Sequence, residues 1–360
     1  MTLSEFMKEW NDDTPYIKVK TSGSTGKPKE LLVEKSRMTA SAKITCDFLG
    51  LTSNDTALLC LPLDYIAGKM MVVRCLERGM KLVSVTPSAH PLKDLQEVPS
   101  FAAMVPMQVY NSMENEEERS KLMRIRNLII GGGAVDSEMA NRLRSFGNAV
   151  WSTYGMTETL SHIALRKLSG SDATEYYSPF EGVALSAADD GCLCIKAPAV
   201  CQDMLKTNDI VDFHEDGKRF RVIGRKDNVV DSGGIKIHIE EIEQVLRNKL
   251  NVDFAISKMR DKEYGEIVVL LLALPEFCHT NGKNILVLSK KKPHDDIKSM
   301  KCLGLLPSSV LSNLTLAVSS LSKYWQPKVI FAVDKIPHTE TGKIARSAVI
   351  NMIENFNNDV

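Results

Sequence analysis

The chain has 360 residues, of which 44% are apolar and 25% charged, and 45 basic residues balance 45 acidic ones to a formal net charge of zero. That balance offers no field for nucleic acid or an anionic membrane surface, and no apolar run reaches the length of a membrane span. Lys8, Glu9, Asp12 and Asp13 break up any signal-peptide pattern, and the eight cysteines have neither a disulfide framework nor a second pair to complete Cys192-x-Cys194 as a zinc site, so a reduced, cytoplasmic setting is expected.

A helical lead at 1–13 comes first. Apolar Ile17 and Val19 then precede Thr21-Ser22-Gly23-Ser24-Thr25-Gly26-Lys27-Pro28-Lys29, and Leu31, Leu32 and Val33 follow it. The pattern predicts a strand, a tight loop and a second strand. Glycines let the backbone turn its N–H groups into one concavity, the hydroxyls add donors, and lysine adds a mobile charge, so the loop suits a polyphosphate. It is not a Walker A loop, because the spacing of Gly23 and Gly26 is too short and Pro28 follows Lys27. The plainer alternative is a solvated Ser/Thr/Gly linker.

A helix at 35–49, with Ser36 as its N-cap, leads to a buried strand at 57–61. That strand ends in Leu61-Pro62-Leu63-Asp64-Tyr65-Ile66-Ala67-Gly68, and an apolar helix at 70–78 follows. Strands at 81–85 and 101–105, a helix at 107–113, a strand at 128–130 running into Gly131-Gly132-Gly133, a helix at 136–146 and a strand at 149–153 complete an alternating pattern. Such alternation predicts an α/β domain with a mainly parallel sheet, where ligands gather beyond the carboxyl ends of strands. Short β-like pieces after 180 predict a small antiparallel region. The glycine-bearing, charged stretch 224–234 reads as a domain junction. Helices at 240–250, 308–321 and 344–353, with strands at 254–257, 267–274, 285–288 and 329–333, predict a smaller α+β domain. The expected division is 1–223 and 224–360.

Five ordered motifs resemble the adenylate-forming superfamily of acyl-CoA synthetases, luciferases and peptide-synthetase adenylation domains. They are 21–29; Tyr154-Gly155-Met156-Thr157-Glu158; Asp209; Gly224-Arg225-Lys226-Asp227 with Gly233-Gly234 and Glu240-Glu241-Ile242-Glu243; and Ile336-Pro337-His338-Thr339-Glu340-Thr341-Gly342-Lys343. The resemblance implies ATP, Mg²⁺ and coenzyme A as the small molecules handled. The phosphate loop Thr21, Ser22, Gly23, Ser24, Thr25, Gly26 and Lys27 would hold the outer phosphates. Glu158, with Thr157 beside it, would hold Mg²⁺, a hard cation that prefers oxygen ligands. Gly131, Gly132, Gly133, Ala134 and Tyr154 would frame the adenine, Asp209 the ribose hydroxyls, and Arg225 the ribose and phosphate side. Lys343 would neutralise the meeting of carboxylate and α-phosphate. The smaller domain would swing about Asp227, within a hinge near 225–228, and present Gly233 and Gly234 to coenzyme A.

Within that superfamily, residues 61–68, Arg74 and Val105-Pro106-Met107-Gln108 are most similar to the o-succinylbenzoate–CoA ligases, with Tyr65 where those enzymes carry His. The implied reaction is acyl-adenylate formation followed by thioester formation, in menaquinone biosynthesis. Arg74, with Gly155 and Met156, would receive the acid; Lys69 is a weaker cation for the same purpose, and His162 could face the acid or be structural. Family members carry well over a hundred residues ahead of the phosphate loop, so much of the first subdomain is expected to be missing, and the face it leaves is read as a homodimer surface. The competing readings are a ligase for another aryl or acyl acid, an adenylating enzyme that loads a carrier protein, and a non-catalytic nucleotide-binding remnant.

Overall fold

The computed structural model describes residues 1–20, 30–280, 285–290, 308–339 and 343–358. The expected phosphate loop, 21–29, lies outside them, as does Gly342 of the C-terminal motif. Contacts divide the chain into two units, residues 1–207 with 211–221, and residues 208–210 with 222–360.

The first unit opens with α1 (Leu3–Trp10), held by a capping box in which Glu5 N–H donates to Thr2 Oγ1 and Thr2 N–H to Glu5. Strands β1 (Tyr16–Lys20) and β2 (Glu30–Glu34) pair antiparallel, with Ile17 opposite Val33 and both buried. Helix α2 (Lys35–Leu49) starts directly after β2. Its N-cap is Glu34, without a side-chain cap bond, so Ser36 lies inside the helix and is not the cap. The helix stops at Gly50, whose φ of 62° suits a residue without Cβ.

Next come β3 (Thr56–Leu59), α3 (Ile66–Arg78), β4 (Lys81–Ser84), β5 (Phe101–Met104) and α4 (Pro106–Glu114). Helix α5 (Glu116–Arg124) follows, which the sequence pattern did not announce. Its first turn is acidic, its last turn basic and Asn115 caps it, all favourable to the helix dipole. Strand β6 (Asn127–Ile130), α6 (Ser137–Arg144), β7 (Ala149–Gly155), β8 (His162–Lys167) and β9 (Ser178–Pro179) complete a seven-stranded sheet in the order β4-β3-β5-β6-β7-β8-β9. Strands β4 to β7 are parallel neighbours, while β8 and β9 return antiparallel. Strands β10 (Ala184–Ala187), β11 (Cys192–Lys196), β12 (Leu205–Phe213) and β13 (Phe220–Arg225) form a four-stranded sheet in sequence order.

In the second unit β14 (Val229–Ser232) and β15 (Ile235–His238) form a hairpin, followed by α7 (Ile239–Arg247), β16 (Phe254–Asp261), β17 (Gly265–Ala273), α8 (Pro275–Thr280), β18 (Ile285–Lys290), α9 (Ser308–Ser319), β19 (Val329–Val333) and α10 (Arg346–Asn358). Strand β17 is central, pairing with β14, β16 and, in parallel, β19. Val268, Leu270 and Leu272 enter one apolar cluster and Ile267, Val269 and Leu271 another, so both faces of the strand are buried. That two-sided burial is why the segment reads as an unbroken apolar run.

Candidate active site

In the first unit the chain ends of four adjacent parallel strands point to one sheet edge. Residues 61–68 leave β3, Val105 leaves β5, 131–134 leave β6, and 154–158 close β7. This is the edge at which open α/β sheets take ligands. Three glycines there are demanded by close approach. A Cβ on Gly68 would lie 2.3 Å from Pro62 O, on Gly131 2.4 Å from Thr153 Oγ1, and on Gly155 2.2 Å from Ser161 O. Gly132 has φ 76°. The glycines expected to frame a flat ring thus also let the strand-end loops fold against β7. Gly133 and Ala134 follow in the same turn.

Residues 154–162 form a compact loop between β7 and β8. Tyr154 meets Phe220 edge-on at 5.1 Å between ring centroids. Met156 and Thr159 close a short turn: Met156 N–H donates to Thr159 Oγ1 at 3.0 Å, and Thr159 Oγ1 donates to Met156 O at 3.1 Å. Glu158 stands exposed in that turn, with Thr157 half-buried before it. Among the described residues there is no group of three His, Cys, Asp or Glu side chains able to hold a metal. A single exposed carboxylate fits a magnesium ion that takes its remaining ligands from phosphate and water.

Arg74 is carried inward by α3 and is 2% exposed. Its Nη2 donates to Ser161 Oγ at 2.7 Å, while Nε has no partner among the described residues. Burial pulls the guanidinium down to about 10, which leaves it charged at neutral pH. Lys69, the weaker candidate, is also buried, but it faces α1: its ammonium lies 3.7 Å from Glu9 and 5.0 Å from the Phe6 ring centroid. Burial lowers its pKa and Glu9 opposes that shift. His162 is buried beside Ser161 and α2, and a cavity of 20 Å³, room for about one water, lies against it.

In the second unit Asp209, Arg225, Asp227 and Lys343 come together. Arg225 Nη1 donates to Asp209 at 3.1 Å and Nη2 to Asp227 at 3.4 Å, and Asn208 Nδ2 donates to Asp227 at 3.1 Å. Burial, and then Arg225, push the Lys343 pKa down, while Asp209 pushes it back up. The backbone holds the lysine closely: Thr339 N–H donates to Lys343 O at 2.7 Å, Lys343 N–H to Thr339 Oγ1 at 3.2 Å, and Ala345 N–H to Pro337 O at 2.8 Å. Residues that lie far apart in the chain thus form one mixed-charge cluster in which a desolvated lysine acts more strongly on an anion than it would in water. Gly233 and Gly234, with φ 62° and 83°, turn between β14 and β15, and Gly233 N–H donates to Tyr264 O at 2.8 Å.

Sequence reasoning passed over three residues that the structure places in these clusters. Ser161 follows the Tyr154–Glu158 motif too closely to have gone unweighed. Thr45 and Arg346 carried no local signal: Thr45 meets His162 across 117 residues, and Arg346 meets Glu243 across 103.

Comparisons with known proteins bear on the family and the fold. The family model described as "AMP-binding enzyme" matches residues 5–191, more than half of the chain. A solved acyl-CoA synthetase (AMP-forming)/AMP-acid ligase II-like protein from Dyadobacter fermentans is 31% identical with a TM-score of 0.59; the match covers 97% of this chain and 93% of that one. A 2-succinylbenzoate–CoA ligase from Geobacillus sp. is 25% identical over 98% of this chain and 72% of its own length. For the Salmonella typhimurium relative of the same name the chain spans 55% of that protein. The fold is that of MenE from Bacillus subtilis, an O-succinylbenzoate coenzyme A synthetase solved with ATP and magnesium, at a TM-score of 0.69, 23% identity, and coverage of 92% and 68%. With its family model, a relative above 30% identity over nearly the whole chain, and strand-end motifs in the expected order, the chain belongs to the AMP-binding enzyme family.

Proposed function

We propose that the chain is an AMP-forming acid–CoA ligase that activates o-succinylbenzoate with ATP, releases pyrophosphate, and transfers the acyl group to coenzyme A. The observation that carries the reading is the cluster of Lys343, Asp209 and Arg225, whose lysine is desolvated yet held beside a carboxylate. In the first step a carboxylate oxygen bonds to the α-phosphorus as the bond to pyrophosphate breaks, and two anions must approach. Lys343 would stabilise the charge that gathers there. Asp209 is suited to accept from ribose hydroxyls, Arg225 to hold it in place, and Tyr154 with 131–134 to border the adenine. Glu158, aided by Thr157, would hold Mg²⁺, which neutralises phosphate charge when bound. In the second step the thiolate of coenzyme A attacks the carbonyl, and AMP leaves with the electron pair. Gly233 and Gly234 are proposed to lie along the pantetheine, and Asp227 to act as the pivot between the steps.

The choice of acid is supported by the names of the curated relatives and by Arg74, a buried cation with neutral polar partners, suited to a second carboxylate. The test is pyrophosphate release with ATP and Mg²⁺ across a panel of o-succinylbenzoate, benzoates and fatty acids, with and without coenzyme A. Release with o-succinylbenzoate and thioester on adding coenzyme A is the expected result. Release with another acid would keep the chemistry and discard the acid. Silence across the panel with ATP still bound would favour the nucleotide-binding remnant. Sedimentation of the same preparation decides between a monomer and the proposed homodimer.

A further inference from the structure

Hydrogen bonds link Arg74 to α2 through Ser161, His162 and Thr45. A guanidinium can only donate, so Ser161 Oγ accepts from Arg74 Nη2 at 2.7 Å. Ser161 Oγ also lies 3.1 Å from His162 Nδ1. On the other side of the ring, His162 Nε2 lies 3.2 Å from Thr45 Oγ1, and Thr45 Oγ1 lies 3.1 Å from Ser41 O. With the Thr45 proton on Ser41 O, Thr45 accepts from Nε2 and Ser161 donates to Nδ1; with the hydroxyls turned the other way, Thr45 donates to Nε2 and Nδ1 donates to the second lone pair of Ser161 Oγ. The chain runs from Arg74 to Ser161, to His162 and to Thr45 on α2, and either neutral tautomer of His162 completes it. Burial, and then the charge of Arg74, hold the imidazole well below its ordinary pKa, which keeps it neutral.

The backbone aims this chain at some expense. Leu160 has φ 63° and ψ −38°, and Ser161 N–H donates to Thr159 O at 2.7 Å, a γ-turn of a strained kind. Strain of about 1–3 kcal/mol survives only where the surroundings over-determine it. Here Gly155 permits the 161–162 backbone to close against β7, and the 162 ring packs on Phe180 at 5.5 Å. Met71 Sδ takes Nη1 at 3.6 Å. Two edges of the guanidinium are thereby committed to neutral groups, and Nε remains uncommitted among the described residues.

We propose that His162 and Thr45 are positioning residues for Arg74, holding its guanidinium in one orientation, through Ser161, so that it presents a fixed donor to an anionic oxygen of the acid. The proposal rests on the acid-binding reading of Arg74 and names the substrate class: an acid with a second anionic group beyond the carboxylate that is activated. Two positions distant from the reacting atoms then tune acid binding while leaving nucleotide binding alone.

The first measurement is ¹⁵N NMR of the His162 imidazole in the full chain. A single neutral tautomer, unchanged from about pH 5 to 8, is expected; a mixture of the two, or a charged imidazole in that range, overturns the proposal. The second is pyrophosphate release against o-succinylbenzoate concentration or, where that acid is silent, against whichever panel acid supports release. Thr45→Val should raise KM for the acid about fivefold, the size of one lost neutral hydrogen bond, with KM for ATP and kcat nearly unchanged, and Thr45→Ser should restore it. An unchanged acid KM in Thr45→Val, alongside a raised one in Arg74→Lys, overturns the positioning role alone. An unchanged acid KM in Arg74→Lys overturns the acid-site reading beneath it.

Discussion

Arg346 and Arg74 are both taken out of water, and they are held in opposite ways. Arg346, at the start of α10, gives Glu243 a two-pronged contact at 2.8 and 2.6 Å and a further bond to Ile256 O at 2.7 Å. Burial opposes its charge, but Glu243 raises its pKa overall. The pair is closed on itself three residues after Lys343, so it fastens the lysine's loop to α7 and β16. Arg74 is more deeply buried, yet its partners are Ser161, Met71 and the nearby thiols of Cys46 and Cys75. A buried cation that is neutralised from within is structure. A buried cation left with neutral partners costs stability, which accords with the proposed role of Arg74 in taking a charge that arrives from outside.

Substitution should break that comparison most sharply at the closed pair. Glu243→Ala strands Arg346 and should cost about 3–5 kcal/mol, read as a fall in the urea midpoint; a loss below about 1 kcal/mol would mean that the pair behaves as a surface bridge. Arg74→Met should go the other way, holding stability or raising it by about 1 kcal/mol or more, while acid-dependent pyrophosphate release is lost. A large loss of stability in that variant would make Arg74 a structural residue like Arg346.

Lys343 is a half-buried cation and tests the intermediate case. Lys343→Met should lower pyrophosphate release by about 10²–10³-fold with no loss of melting temperature. The sign follows from its depressed folded pKa: the folded unit resists the charge at neutral pH, and in the native protein that penalty is relieved only as pH rises through the folded value toward the ordinary lysine range. A marked drop in melting temperature would show that the Asp209 side of the cluster, and not desolvation, dominates.

The smallest effect belongs to His162. Its folded pKa is depressed, so below about pH 6.5 the unfolded chain takes up a proton that the folded one refuses, and stability should fall by at most about 1.4 kcal/mol per pH unit. Denaturation midpoints measured from pH 7.5 downward should show this limb flattened in His162→Gln. An identical limb in both proteins would assign it to other groups.

Much of the scaffold was legible from residue pattern. The apolar run at 267–274 announced a long strand, whose burial on both faces is seen in the fold, and the helix expected over 35–49 stops there, at Gly50. Helix α5 was hidden because, apart from Leu122, its buried positions include Glu118 and Lys121, whose charges are met by His90 and by the carbonyls of Leu92 and Lys93. Periodicity cannot register a buried face built from charged residues. Lys69 and Arg74 read as similar cations on one helix, yet the first turns to Glu9 and Phe6 and the second to Ser161, because five residues of helical rotation place them on different faces.

The sequence by itself determined which chemical groups this protein carries and in what order: the glycines at strand ends, the acidic turn at 157–158, Asp209, Arg225 and Lys343. Those are local patterns, and local backbone preference suffices to write them. Only the tertiary structure decided which charges are neutralised. Whether an arginine meets a carboxylate or a hydroxyl depends on groups 87 residues away for Arg74 and 103 for Arg346, and the cost of burying a charge is set by what folding brings within hydrogen-bond distance, which no stretch of sequence contains.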